Sequence, residues 1–386
     1  MKPLVWLGAT SSGGLALPDA SPTPCSFYAP RGVFLIDDLL IVVDTGNHRA
    51  LIWHGHPTET GAPADVVLGQ RNFYSEGPKS AGSSIASGLF LPTASGVWEG
   101  RLFVADAWHH RILVWNHVPT ASGTPPDYAI GQSDLESVEA NRGGSTSRNS
   151  LWCPYGIAFV GGRFHVTDTS NRRVLGWQGL PERNQLPDSL LGQSDWNHGE
   201  ESRGEGVGAR SFRWPHAVAD VGDYVYLADA GNHRVLGWRG GLRLDRDADV
   251  MIGQKNFQLS EEFAYRPQGA ARLRFPYAIA SNGSRLAVGD TANNRVLLWE
   301  TLPSGEIAST EASAVIGQPN FDANGENHWI AITSDTLCWP YGICWHGDKL
   351  AIADSGNNRV MLWSTVGIAP EQAISELELT GALPCV

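Results

Sequence analysis

The 386-residue chain lacks several features on which protein function is commonly built. It contains no phosphate-cradling or dinucleotide-binding glycine fingerprint and no Ser-His-Asp order, which removes the familiar nucleotide-binding and acyl-transfer chemistries. No apolar stretch approaches the length of a membrane span, and none precedes a cleavage site after Met1-Lys2, so a cytoplasmic, membrane-free protein is expected. Five cysteines at irregular positions form no disulfide framework. Positive charge is short as well: 28 basic residues face 40 acidic ones, for a net charge of -12. A nucleic-acid surface owes most of its affinity to phosphate neutralisation, so that class of partner is not expected.

Helical periodicity is missing too, and an internal repeat stands in its place. The segments VVDTGNHRALIW, VADAWHHRILVW, HVTDTSNRRVLGW, YLADAGNHRVLGW, AVGDTANNRVLLW and AIADSGNNRVMLW are versions of one pattern. Their aspartates, Asp44, Asp106, Asp168, Asp229, Asp290 and Asp354, are separated by 62, 62, 61, 61 and 64 residues. A proline lies 14 residues before each aspartate (Pro30, Pro92, Pro154, Pro215, Pro276, Pro340) and a tryptophan nine after it (Trp53, Trp115, Trp177, Trp238, Trp299, Trp363). An aliphatic-Gly-Gln triplet at Gly69, Gly131, Gly192, Gly253 and Gly317 always precedes the next proline by 23 residues. Only the tryptophan-to-glycine interval varies, from 15 to 18, so length changes fall in one loop per unit.

Within a unit, runs such as YGIAFV, RFHVTD, RVLGW and DSLLG are about five residues long, rich in β-branched and aliphatic residues, and separated by turn residues. Four short antiparallel strands repeated six times predict an all-β, six-bladed propeller over residues 1–386, a single domain whose blades must stack to bury both faces. The N-terminal VWLGA has its Gly8 22 residues before Pro30 and reads as a displaced fourth strand. The C-terminal ELELTG, with Gly381 18 residues after Trp363, competes for the same place. The expectation is that the N-terminal strand completes the last blade and the C-terminal run pairs at the edge.

The Asp-x-x-Asn-x-Arg motif, followed by aliphatic residues and an aromatic and preceded by Pro-x-Gly-Ile-Ala, resembles the NHL repeat over essentially the whole chain. That resemblance implies the propeller but leaves function open, because proteins of this type are functionally mixed. Small bacterial proteins similar to it include some encoded near metalloenzymes such as hydrogenases, which implies an assembly or accessory role.

The repeated residues read as structural. Asp and Asn suit the turn between second and third strands, the arginine can pair bidentately with an aspartate, and the Gly-Gln pair allows a sharp exit and ties down the connector that follows. The terminal tryptophans read as packing.

Function is then sought where the units differ. The innermost strand starts at each proline, so the residues after the prolines, Arg31, Thr93, Tyr155, His216, Tyr277 and Tyr341, should ring the channel mouth. Peptidyl-α-hydroxyglycine amidating lyases, which resemble NHL propellers, place zinc-binding histidines after this proline in three blades. Only His216 matches here, so that resemblance implies no such zinc site. Cys25, Cys153 and Cys338 precede their prolines by five, one and two residues and, with His216, are the remaining metal candidates, although no C-x-x-C spacing supports them. No cofactor is expected, and a metal at the channel is the one alternative.

One repeat departs strongly. Trp108 occupies a position that is Gly, Ser or Ala in the other units, His109 replaces the turn Asn, and His110 occupies a slot read as solvent-facing. The connectors and these turns should share one face, which also carries Tyr74, Trp196, His198, Phe263, Tyr265, His328 and Trp329. Trp152, Trp214 and Trp339 precede the prolines. Two function classes follow. The first is a non-catalytic scaffold that binds a protein partner through Trp108, His109, His110, Trp196, His198, His328 and Trp329. The second is an enzyme or small-ligand binder, of lyase or hydrolase type, in which Arg31, Tyr155, His216, Tyr277 and Tyr341 supply acid, base or anion-stabilising groups.

Overall fold

The computed structural model describes residues 2–9, 21–242, 245–263, 266–303 and 311–366. Six four-stranded antiparallel sheets form the six blades of a propeller. Blade three is representative: Pro154–Val160 lies innermost, followed outward by Arg163–Asp168, Arg173–Gln178 and Ser189–Leu191. Blade six is completed by Lys2–Gly8, which pairs antiparallel with Arg359–Ser364, as the position of Gly8 anticipated. Gly8 has φ +92, in the same left-handed range as the five Gly-Gln glycines, so the ring-closing strand ends as a true fourth strand does. The ELELTG run falls outside the described residues.

Hydrophobic side chains alternate between adjacent blades, and each of the six core clusters joins two neighbours. Leu39, Ile41 and Leu68 of blade one pack with Leu102, Val104 and Trp115 of blade two, for example. No blade holds a core of its own, so burial worth about 1.5–3 kcal/mol per large side chain is gained only when neighbours stack. The six motif tryptophans are all buried, one in each of these clusters.

The 14-residue proline-to-aspartate spacing is strand register: Pro154 pairs with Asp168, Pro215 with Asp229, Pro276 with Asp290 and Pro340 with Asp354. Each aspartate then joins three pieces of chain. In blade three Asp168 Oδ1 accepts the Trp152 amide at 2.7 Å, while Oδ2 accepts from Asn171 Nδ2 and Arg173 Nε, each at 2.7 Å. The arginine is not held by a bidentate pair, as its motif position suggested. Only Nε meets the carboxylate, and the other two nitrogens donate to connector carbonyls of Trp196, Ser147 and Ser150. The same arrangement recurs around Arg49, Arg111 and Arg234. The Gln of Gly-Gln also ties down its connector: Gln193 Nε2 donates to the carbonyls of Asn171, Arg172 and Glu200. Connectors and Asp-x-x-Asn turns therefore share one face.

Candidate functional site

The inner strands deliver the post-proline residues to the axis by a local device. In blades three to six the strand register shifts immediately after the proline, leaving Tyr155, His216, Tyr277 and Tyr341 in bulges. A bulge re-aims its extra side chain, and here the four rings turn into the channel. Blade backbones approach closely at this level: a Cβ on Gly156 would stand 2.0 Å from the His216 carbonyl oxygen, so glycine is required there.

The side chains meet across the axis. His216 packs edge-on between Tyr155 and Tyr277, with centroids 4.2 and 4.4 Å away, and Tyr277 stacks on Tyr341 at 4.8 Å. The Arg31 guanidinium lies 4.7 Å from the Tyr341 ring centroid. Thr93 stands apart in role, donating to the Tyr155 carbonyl at 2.7 Å. Together these groups line one end of a cavity of about 380 Å³ that follows the inner strands and is walled by half-buried Phe34, Ile36, Ile157 and Phe159.

Burial governs the chemistry of this cluster. His216 Nδ1 lies 2.8 Å from the Trp214 carbonyl and must carry the proton there, leaving Nε2 as an acceptor. Burial pushes its pKa down to about 3, with the Trp214 contact opposing and Arg31 contributing, so the imidazole is neutral. Burial also raises Tyr277 to about 12, and raises Tyr155 further against the pull of Arg31. The Arg31 pKa is raised chiefly by Tyr155, with burial opposing and Tyr341 and Tyr277 contributing, and no carboxylate is among its leading influences. Tyr155 Oη and Arg31 Nε are both buried without a well-directed hydrogen-bond partner.

The residues proposed as metal ligands are not gathered. Cys25 is disulfide-bonded and has no thiolate to offer, a correction to its reading as a candidate. Cys153 lies by His110, its Sγ 3.7 Å from Nδ1. Cys338 is buried in blade six, and burial raises its thiol to about 12. No group of three or more potential ligands occurs among the described residues. With Arg31, Thr93 and three tyrosines in the other post-proline positions, His216 has no partner with which to form a histidine zinc site.

The Trp108-His109-His110 reading is corrected in two of its three residues. The turn Ala107–His109 keeps the geometry of the other blades, with Trp108 37% exposed on its outside. His109 is buried, however, and its Nδ1 lies 2.8 Å from Asp106 Oδ2, so it replaces the turn Asn rather than facing a partner. His110 is not solvent-facing: its Nδ1 accepts the Cys153 backbone N–H of the next blade at 3.1 Å.

This contact is a staple between blades that the sequence reading missed. His48 Nδ1 accepts the Leu91 amide, His233 Nδ1 the Phe275 amide, Asn294 Oδ1 the Trp339 amide and Asn358 Oδ1 the Ala29 amide. The residues that donate these amides all have φ between +44 and +52. The available signal was chemical type: five of the six slot residues carry an acceptor, and Arg172 alone carries none.

Of the other face residues, Trp196 is half-buried beneath Arg148, whose guanidinium lies 4.6 Å from its ring, so it packs its connector. Exposed His198 pairs with Asp195 at 2.7 Å. His328 is half-buried, whereas Trp329 and Ile330 are 75% and 88% exposed. Tyr74 is 68% exposed, and Tyr28, Trp152 and Trp339 are also exposed at the ends of their connectors. Phe263 lies under Arg272, and Tyr265 falls outside the described residues.

No protein-family model matches the chain, and no curated protein matches it. Solved structures align with the chain at low identity. An auxiliary nutrient binding protein from Bacteroides thetaiotaomicron aligns over 94% of this chain and 75% of its own, with 13% identity and a TM-score of 0.49. Kuenenia stuttgartiensis hydrazine synthase aligns over 92% and 98%, at 12% identity and a TM-score of 0.48. Virginiamycin B lyase from Staphylococcus aureus aligns over 91% and 97%, at 11% identity and a TM-score of 0.43. The chain itself is an all-β propeller of six four-stranded antiparallel blades.

Proposed function

We propose that this protein is an NHL-type propeller acting as a non-catalytic scaffold that holds a protein partner on its connector face. The family reading rests on six copies of the Asp-x-x-Asn-x-Arg pattern. The functional reading is supported by one observation: the large apolar residues left exposed cluster on that face. Tyr28, Tyr74, Trp108, Trp152, Trp329, Ile330 and Trp339 are seven of the ten such residues among those described. Exposed aromatic groups of this number on one face are characteristic of a protein interface, since Trp and Tyr anchor binding where water is excluded. With His109 and His110 committed to the fold, Trp108, Trp329 and Ile330 are the anchors, with His198 and His328 at their margin. An accessory or assembly role is the form of scaffold this surface fits.

The test uses a partner isolated with the protein from its native cells, identified by mass, and then purified. Trp108→Ala and Trp329→Ser should each weaken binding by tenfold or more, about 1.4 kcal/mol or above. Their thermal midpoints should stay close to the parent's. His109→Asn restores the turn residue of the other blades and should bind as the parent does. Full binding by both tryptophan variants would overturn the reading.

A further inference from the structure

The channel mouth contains a half-buried cation without a counter-charge beside it. Arg31 is surrounded by three tyrosines and a neutral histidine, and its Nε is unpaired. Tyr155 is 7% exposed and lines the cavity, and its hydroxyl lies beside the Arg31 guanidinium without a well-directed hydrogen bond. Buried polar groups are normally satisfied, and leaving a donor unpaired costs about 1–3 kcal/mol. An arginine with no carboxylate beside it, next to a tyrosine hydroxyl that lacks a well-directed bond and opening on a cavity, has the donor set that a bound oxyanion completes.

From this geometry we infer that the channel mouth is a binding site for a small amphipathic monocarboxylate, an inference that does not rest on the protein-binding reading. One guanidinium neutralises one negative charge, and no second cation borders the cluster to balance a phosphate dianion. The walls beyond it, Phe34, Ile36, Ile157 and Phe159, are apolar and suit a hydrocarbon body. The cavity, about 380 Å³, falls within the range of about 300–1,000 Å³ typical of small-ligand sites. The carboxylate sits against Arg31 and the Tyr155 hydroxyl. His216 Nε2, held as an acceptor, receives a proton donor from a ligand that carries a hydroxyl or amine near its carboxylate.

The experiment is calorimetric titration of the full chain with octanoate, octanol and octyl phosphate. Octanoate should bind, and octanol at least tenfold more weakly. Arg31→Gln should weaken octanoate about ten- to a hundredfold, the range of a charge-assisted hydrogen bond. Tyr155→Phe, which keeps the ring and so keeps the channel packing, should weaken octanoate but leave octanol unchanged. No octanoate binding by the parent, equal binding of octanol, or undiminished octanoate binding by a folded Arg31→Gln protein would each overturn the proposal. Octyl phosphate binding tighter than octanoate would overturn the carboxylate assignment in favour of a phosphate.

Discussion

A fully buried arginine is costly unless every donor finds an acceptor, and Arg234 shows how the repeat meets that demand. Its Nε donates to Asp229 Oδ2 at 2.9 Å, and its terminal nitrogens reach the carbonyls of Phe257, Gly208 and Ser211. The side chain thereby fastens two connectors to a turn. Truncating one member of such a buried pair leaves the other charge uncompensated, which costs about 3–5 kcal/mol. Arg234→Ala should therefore lose about that much stability in urea unfolding, with the three carbonyls adding to the penalty. A loss below 1 kcal/mol would mean that the connectors are held by other contacts.

At the scale of the element, the joints between blades are not equivalent. Five joints carry the staple in which an imidazole or amide accepts a backbone N–H from the next blade, and the joint from blade three to blade four has Arg172 in that slot. Arg172 turns to the carbonyls of Ser170 and Gly199 instead. Thr169 still donates to the Pro215 carbonyl at 2.6 Å, so the seam is bridged but lacks the amide contact. The Trp214 amide should exchange with deuterium at least tenfold faster than those of Leu91, Cys153, Phe275 and Trp339, and equal protection would remove this distinction. The staple also marks where sequence reading stopped. Proline, aspartate and tryptophan recur at fixed intervals because they are register and packing positions, so the blades, the ring closure at Gly8 and the shared connector face were all legible. Position alone could place Arg31, Tyr155, His216, Tyr277 and Tyr341 at the channel mouth. It could not reveal that the rings contact one another, since the bulges that turn them inward are register shifts between strands. His110 was read as solvent-facing because a variable slot resembles a surface slot. Its constraint is an acceptor atom, which His and Asn share despite their different shapes.

The whole molecule has a ring-closed core whose interblade clusters form only together, and three imidazoles are built into that core as neutral groups. Burial lowers His165 and His216 to about 3 and His233 to about 4. In the unfolded chain each titrates near 6.5. As pH falls below that value the unfolded state takes up protons that the folded state refuses, so stability must fall as pH is lowered. The window opens at about 6.5 and extends to about 4 for His233 and about 3 for the other two. Each group contributes a slope of up to about 1.4 kcal/mol per pH unit inside its window. Urea midpoints measured from pH 7 to pH 5, above the range in which ordinary carboxylates titrate, should therefore shift downward. His216→Gln removes one titrating group while leaving a polar side chain at the channel mouth, and it should flatten the profile by one histidine's share. An unchanged slope in that variant would show that His216 is protonated in the folded ring, and the acceptor assigned to its Nε2 would be lost with it.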